Sequence, residues 1–245
     1  MKLKHLSDLH LEIQGNEFAQ RFISSLDPTG IDVLILGGDV ISVKDDWAFE
    51  RLNQFCNKFK QVLFVAGNHE SYGSKISTTR RLLWGFQKET KNFHYLHNES
   101  VTIDGQRFLG GTMWFKYFPG IELLYKGLND FRLIADVRSK YDLEYRAFKK
   151  LLKKDLKSSD VVISHHCPTN QCLHPDYAGD PYNHFFIAPE MEEFIVNRQP
   201  KAWLFGHTHS KWDIKIGNTR VISNPMGYSP EEVRGGFDPK MEIEL

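Results

Sequence analysis

The stretch IDVLILGGD, residues 31–39, is an apolar, β-branched run that ends in two glycines and an aspartate. A similar run, QVLFVAGNH, follows at residues 61–69. Between them, apolar residues recur at helical spacing over residues 48–59, behind the helix-starting pair Asp45 and Asp46. A strand, a helix and a second strand, with glycines closing each strand, are typical of a parallel sheet with crossover helices. Ligands of such sheets bind at the carboxyl ends of the strands, where the polar groups of both runs lie.

Further short elements continue the alternation of strands and helices, and no repeat or linker interrupts it. The predicted elements are a hairpin over 100–109, a helix over 143–156 with Leu143 on its apolar face, strands over 160–164 and 203–205, and a hairpin over 212–223. The sequence therefore predicts an α/β chain with a single domain over residues 1–245. Residues 112–140 and 167–187 are predicted to be long polar loops, either binding loops and lids or mobile surface connections.

The bulk composition is that of an ordinary globular protein. Hydrophobic residues make up 41%, and 31 basic residues balance 31 acidic ones. This balance disfavours stable nucleic-acid binding, which needs a positive electrostatic field. The lysines over 149–157 are predicted to form the solvated face of a helix, and a local nucleic-acid contact is the alternative. Three cysteines cannot form a disulfide framework, and neither a signal peptide nor a membrane span is visible. We therefore expect a cytoplasmic protein without a membrane partner.

Metal-binding side chains recur directly after the predicted strands. They are Asp8, His10, Asp39, Asn68, His165, His207 and His209. Side chains two residues apart leave an extended segment on the same side, so each of the pairs 8/10 and 207/209 can point to one ion. The Asp39 carboxylate has two oxygens and can bridge two ions. Mixed oxygen and nitrogen donors favour Mn, Fe, Zn, Co or Ni over calcium.

Any one of these segments alone is more often a turn or a surface loop. Their joint occurrence in strand order indicates a hydrolase with two divalent metal ions.

These residues also resemble a known family. The motifs Asp8-x-His10, Gly38-Asp39, Gly67-Asn68-His69-Glu70, His165 and Gly206-His207-Thr208-His209 resemble the five signatures of the calcineurin-like metallophosphoesterases. Residues 128–132 and 224–228 resemble a branch of small Icc-related phosphoesterases. The resemblance implies a four-layer α/β/β/α sandwich, with two mixed sheets flanked by helices. It also implies two ion sites, one formed by Asp8, His10, Asp39 and His209, the other by Asp39, Asn68, His165 and His207.

The resemblance further implies roles for residues that are not ligands. It makes His165 the ligand in preference to His166, which would support a ligand or face the substrate. It gives His69 a catalytic role beside Asp39, either stabilising the phosphoryl oxygens or protonating the leaving group. Asn129 and Arg132 are predicted to bind substrate, although a structural ion pair is an equal alternative for Arg132.

The function expected from these observations is hydrolysis of a phosphoester by a hydroxide that bridges two divalent ions, with manganese the best choice in vitro. A small phosphorylated substrate is expected, with a phosphodiester preferred to a monoester and a nucleotide among the candidates. A phosphomonoesterase is the alternative, followed by a non-catalytic metal-binding scaffold. Ser42 and Val43 depart from the pattern of protein serine/threonine phosphatases, which disfavours that activity.

Overall fold

The computed structural model describes residues 1–229 and 235–245. In chain order, the strands of this part are β1 (Lys2–Leu6), β2 (Val33–Leu36), β3 (Val62–Phe64), β4 (Phe93–Tyr95), β5 (Glu99–Ile103), β6 (Gln106–Gly111), β7 (Val161–Ser164), β8 (Ala202–Phe205), β9 (Trp212–Ile216), β10 (Thr219–Ser223) and β11 (Ile243–Glu244). The helices are α1 (Leu11–Gln14), α2 (Asn16–Ser25), α3 (Ala48–Lys58), α4 (Ile76–Glu89), α5 (Asp130–Leu133), α6 (Val137–Asp155) and α7 (Glu192–Arg198).

The strands form two mixed sheets. The first has the order β11-β1-β2-β3-β4 and is parallel except for β11. The second has the order β5-β6-β7-β8-β10-β9, with parallel pairing from β6 to β10 and an antiparallel strand at each edge. Parallel strands bring their carboxyl ends to one edge, so each sheet presents a row of loops on the same side.

A buried apolar layer lies between the two sheets because side chains alternate across each strand. Val33 and Ile35 of β2 pack in this layer with Val161 and Ile163 of β7. Leu34, on the opposite face of β2, packs with the helices of the first sheet. Strands that are buried on both faces read as continuous apolar runs, which is what residues 33–36 show.

Helices cover the outer face of each sheet. Side chains of α2, α3 and α4 pack on the first sheet, and side chains of α6 and α7 pack on the second. The layers are therefore helix, sheet, sheet and helix, which confirms the arrangement that the family resemblance implied. Within residues 1–229 and 235–245, no helix has the length and apolar composition that a membrane crossing requires.

Two expectations about local structure were wrong. Leu143 is 58% exposed, because α6 begins earlier than predicted and buries a face that includes Tyr141, Tyr145 and Phe148. The two long polar loops also contain more structure than expected. Ile121–Gly127, Asn170–Cys172, Pro175–Tyr177 and Pro181–Phe185 form short 3₁₀ helices. Proline at the first position of the last two favours such a turn, since its φ is already fixed near the helical value.

Candidate metal centre

The loops after β1 and β2 lie side by side at the carboxyl edge of the first sheet. The Asp8 N–H donates to the Gly38 carbonyl at 2.9 Å, and the His10 N–H donates to the Asp39 carbonyl at 2.9 Å. Gly38 has φ 93°, and a Cβ at this position would collide with the ring of His165. Glycine at residue 38 therefore lets the loop of the first sheet approach a histidine of the second.

The predicted ligands occupy an unusual backbone conformation. Five of the nine residues other than glycine that have positive φ in the described chain are predicted ligands, and these are Asp8, His10, Asp39, His207 and His209. This left-handed conformation costs on the order of 1–3 kcal/mol per residue and is concentrated at functional sites. The expectation that residues 8–10 and 207–209 are extended was therefore wrong: β1 ends at Leu6 and β8 at Phe205, and sharp turns aim the side chains instead.

One group of predicted ligands surrounds Asp8. The His10 and His209 Nε2 atoms lie 3.1 Å apart, and His209 Nε2 lies 3.6 Å from Asp8 Oδ1. One ligand atom from each of the three residues lies within 4.8 Å of the others. Asp8 and His10 are fully buried. Buried nitrogens and carboxylate oxygens at these separations form a site of the right size for one divalent ion.

A second group surrounds Asp39 and His165. The His165 Nε2 lies 3.1 Å from Asn68 Oδ1, 3.1 Å from His207 Nδ1 and 3.4 Å from Asp39 Oδ2. The Gly206 N–H donates to the His165 carbonyl at 2.9 Å, which holds the ends of β7 and β8 together. Two imidazole nitrogens, an amide oxygen and a carboxylate oxygen therefore converge on one point.

Hydrogen bonds from outside orient the members of this second group. The His165 Nδ1 lies 3.1 Å from the Gly37 carbonyl and the His207 Nε2 lies 3.3 Å from the Phe185 carbonyl, so each ring presents its other nitrogen to the centre. The Asn68 Nδ2 donates to Asp130 Oδ1 at 2.8 Å, which turns the Asn68 carbonyl oxygen towards His165. Such outer bonds fix the tautomer and orientation of metal ligands.

The Glu70 side chain holds the backbone of the loops after β2 and β3. Its carboxylate accepts the backbone N–H groups of Gly67 at 2.7 Å, Val40 at 2.7 Å and Asp39 at 3.1 Å. Burial and the nearby Asp39 carboxylate raise the pKa of Glu70 to about 7. One buried side chain thus closes the loops after β2 and β3 onto each other.

His69 lies beside the first group with a partner on each ring nitrogen. The Nδ1 lies 2.9 Å from Glu12 Oε1, and the Nε2 lies 3.0 Å from the Tyr228 hydroxyl. The His69 N–H donates to Asp39 Oδ1 at 2.8 Å, so the backbone next to Asn68 is also fixed. Burial alone would lower the pKa of His69, but the Asp39 and Glu12 carboxylates outweigh it and raise the pKa to about 9.

The charges of the centre are strongly interdependent. Burial would raise the pKa of Asp39, but His165 and His69 hold it well below its ordinary value. Burial would likewise lower the pKa of His165, but the Asp39 carboxylate raises it to about 10. The pKa of His207 is held well below its ordinary value by burial and by the adjacent histidines. Protons and cations therefore compete for the same donor atoms.

The three residues predicted to bind substrate lie in different places. Asn129 lines the cavity above the ligands. His166 is fully buried, with its ring centroid 4.3 Å from that of His207 and its Nδ1 3.0 Å from the Thr112 carbonyl. This position, behind His207 and outside the cavity lining, suits the support of a ligand and not contact with a substrate. Arg132 is exposed on α5, and the structure does not bring it to the cavity.

Sequence reasoning assigned no role to three side chains that shape the centre, namely Glu12, Asp130 and Tyr228, although the last two lie in the stretches 128–132 and 224–228 that resemble the Icc-related branch. Glu12 follows His10 by two residues, a spacing that could have indicated a third acidic or imidazole group on the same turn. Asp130 and Tyr228 lie 62 and 159 residues from the side chains they contact. Periodicity and local spacing carry no information about contacts at such separations.

A cavity of about 450 Å³ opens directly from the centre. Four predicted ligands line it: Asp39, Asn68, His207 and His209. Residues 127–130 and the 3₁₀-rich segment over 173–187 supply further lining residues. A substrate that enters the cavity would therefore meet the ligand cluster.

The chain matches the family model described as calcineurin-like phosphoesterase over residues 1–211. It is 26% identical to the uncharacterized protein L509 of Acanthamoeba polyphaga mimivirus, over 99% of this chain and 96% of that protein. It is 22% identical to the lariat debranching enzyme of Schizosaccharomyces pombe, over 86% of this chain, and it spans 50% of that enzyme.

Two solved structures share the fold. The phosphopantetheinyl hydrolase of Mycobacterium tuberculosis superposes with a TM-score of 0.74 at 18% identity, covering 95% of this chain and 92% of that one. A dimetal phosphatase from Danio rerio superposes with a TM-score of 0.51 at 14% identity, covering 91% and 86%. The family match spans the strands that carry the ligand cluster, and on this ground the chain belongs to the calcineurin-like phosphoesterases and is a hydrolase that acts on ester bonds.

Proposed function

We propose that this protein is a phosphodiesterase that hydrolyses a small organic phosphodiester, with nucleotides among the candidates, by means of two divalent metal ions. The observation that carries the proposal is the pair of close nitrogen–nitrogen contacts, His10 to His209 and His165 to His207, each at 3.1 Å. Two buried imidazole lone pairs at this separation repel each other unless a proton or a cation lies between them. The side chains around both contacts complete donor sets that suit cations.

The donor sets fit the ions that such a reaction needs. Asp8, His10, Asp39 and His209 would hold one ion, and Asp39, Asn68, His165 and His207 would hold the other. Imidazole, amide and carboxylate donors suit Mn, Fe, Zn, Co or Ni, and manganese is the ion we choose for assays. When bound, such ions supply a nucleophilic hydroxide at neutral pH and offset the charge of the phosphoryl group.

The residues of the chain have distinct parts in this reaction. The His69 ring lines the cavity, where its Nε2 can exchange the Tyr228 hydroxyl for a phosphoryl or leaving-group oxygen and donate a hydrogen bond to it. Glu12 and Tyr228 hold the ring on both sides and fix its plane. Asp130 sets the direction of the Asn68 oxygen, and Glu70 keeps the loops after β2 and β3 in register.

The charge of the cavity favours a diester over a monoester. A phosphodiester carries one negative charge, whereas a phosphomonoester at neutral pH carries close to two. Among the described residues that line the cavity there is no lysine or arginine to balance a second charge. A phosphomonoesterase remains the alternative, because the same ligand cluster can accept a terminal phosphate.

A direct assay tests the proposal. The protein is stripped with a chelator, reloaded with Mn²⁺, and assayed on bis-p-nitrophenyl phosphate and p-nitrophenyl phosphate. We expect turnover only with metal, and a higher kcat/KM for the diester. Asp39→Ala should abolish metal loading and turnover together, whereas His69→Ala should slow turnover with both ions retained. Preference for the monoester would favour the alternative, and bound metal with no turnover of either ester would refute both.

We also propose a cytoplasmic location, as the sequence suggests. All three cysteines, Cys56, Cys167 and Cys172, are buried free thiols, a state that a reducing compartment preserves. Fractionation of cells expressing the tagged full chain would test this.

A further inference from the structure

The cavity is larger than a phosphoryl group requires. Its volume of about 450 Å³ lies in the range of sites that hold small organic ligands. The predicted metal ligands form only part of its lining, so the remaining space must receive the group that is esterified to the phosphate. The chemistry of the remaining walls therefore bears on which phosphodiester binds.

These remaining walls include two chain segments, residues 127–130 and 173–187, that pack tightly against each other. A Cβ on Gly127 would collide with the Tyr182 hydroxyl, so glycine at 127 allows this contact. The Tyr182 N–H donates to Asp180 Oδ1 at 2.8 Å, which fixes the start of that turn. On the next turn, the Phe186 ring stacks on His207 with centroids 4.7 Å apart and planes at 23°. The walls are thus connected directly to the ligand cluster.

Aromatic side chains dominate these walls. The aromatic pocket is defined by Tyr177, Tyr182, Phe185 and Phe186. Aromatic faces stack favourably on flat rings and tolerate different ring identities. The amide side chains of Asn129 and Asn183 also line the cavity, where they can meet polar ring edges. Asp180 also lines the cavity, and its negative charge disfavours a second phosphate there.

We infer that the aromatic pocket selects phosphodiesters with one flat, ring-bearing, uncharged substituent, either a nucleoside or an aryl alcohol, and that Tyr182 is a specificity-determining residue. This inference rests on the proposed function, since it assigns the substrate class of the same site. It goes beyond that function because it concerns only the group attached to the phosphate.

Binding of phosphonate monoesters, measured before appreciable turnover, separates ring recognition from catalysis. The probes are monomethyl methylphosphonate, monomethyl phenylphosphonate and thymidine 5′-methylphosphonate, which carry one negative charge each. Calorimetric titration of the Mn²⁺-loaded protein should give a Kd at least about tenfold lower for the two ring-bearing probes than for the methyl probe. Tighter binding of the thymidine probe would identify a nucleoside, and tighter binding of the phenyl probe an aryl group. Equal affinity for all three would overturn the inference.

A pair of variants tests the assigned residue. Tyr182→Leu should reduce the preference for ring-bearing probes several-fold and leave the affinity for the methyl probe unchanged. Tyr117→Leu is the matched control, because Tyr117 is 40% exposed and does not line the cavity. If Tyr182→Leu keeps the full ring preference, Tyr182 does not determine specificity.

A second phosphate provides the charge test. Thymidine 5′-methylphosphonate with an added 3′-phosphate should bind several-fold more weakly than the same compound without it. Tighter binding of the compound with the added 3′-phosphate would overturn the inference and favour a polyanionic substrate such as a nucleic acid. Because bis-p-nitrophenyl phosphate turnover is measured separately, failure of the ring or charge test leaves the proposed phosphodiesterase activity standing.

Discussion

The carboxylate of Asp8 accepts the backbone N–H of His207, with N–O distances of 2.9 and 3.1 Å. The two residues are 199 positions apart and follow strands of different sheets. One predicted ligand thus holds the backbone of another, and the contact connects the loop edges of both sheets. The geometry of the metal centre therefore depends on how the two sheets are packed.

Asp8 is expected to contribute both to metal binding and to the stability of the fold, and two variants separate these contributions. Asp8→Ala should remove a donor atom and leave the His207 N–H buried without a partner, at a cost of ~1–3 kcal/mol in unfolding free energy. Asp8→Asn should keep an acceptor for that N–H and so keep most of the stability, while losing metal affinity. Urea unfolding in chelator and metal analysis of the reloaded proteins would measure both. Equal stability of the two variants would contradict the structural role; Asp46→Ala, at an exposed carboxylate, is the control.

Asp130 is expected to control one ion site through Asn68. Its Oδ1 accepts both the Asn68 amide at 2.8 Å and the Tyr72 hydroxyl at 2.9 Å. Asp130→Ala should weaken one of the two Mn²⁺ affinities by roughly 10–100-fold and leave the other intact, because only one site contains Asn68. Two-site calorimetric titration of the stripped protein measures this. Asp104→Asn, in the turn between β5 and β6, is the control, and two unchanged affinities would refute the role.

Glu12 and Tyr228 should act through His69 and not independently. Glu12→Gln and Tyr228→Phe each remove one restraint on the His69 ring, so each should lower kcat on bis-p-nitrophenyl phosphate by about tenfold with both ions retained. The kcat of the double variant should be close to that of the less active single variant, because both changes disturb the same ring. Effects that multiply in the double variant would show that the two residues act separately.

His5 should make the fold sensitive to acid. It is fully buried on the face of β1 that packs between the sheets, and burial lowers its pKa to about 3. In the unfolded chain the pKa is ~6.5, so the unfolded state binds a proton between these values and the folded state does not. The contribution of neutral His5 to the unfolding free energy is therefore fully present above pH ~6.5. It is lost as pH falls towards ~3, and the loss is roughly 2 kcal/mol at pH 5.

His5→Leu removes this titration. Its unfolding free energy relative to the wild type should rise by roughly 2 kcal/mol between pH 8 and pH 5, measured in chelator so that metal binding does not contribute. His5→Gln cannot be protonated either and should show the same change with pH. A difference from the wild type that is independent of pH in both variants would show that His5 is not the group involved.

The residue pattern predicted the alternation of strands and helices and a parallel sheet because its signals are local, whereas the four layers were implied by the family resemblance. The apolar runs at 31–36 and 61–66, the glycines that end them and the helical spacing between them require only neighbouring residues to be read. The predicted ligand positions follow from the same signals, since parallel strands necessarily present their carboxyl ends on one edge. The family resemblance and the match over residues 1–211 agree with that interpretation.

Tertiary structure decided the details that set the chemistry. The left-handed turns at Asp8 and His207 could not be inferred from an alternating pattern, because that conformation is imposed by contacts with the opposite sheet. The partners of His69 and Asn68, which are Tyr228 and Asp130, come from distant loops. Local propensity determines which strands form and where they end, whereas the side chains that orient a ligand are fixed only when the two sheets pack together.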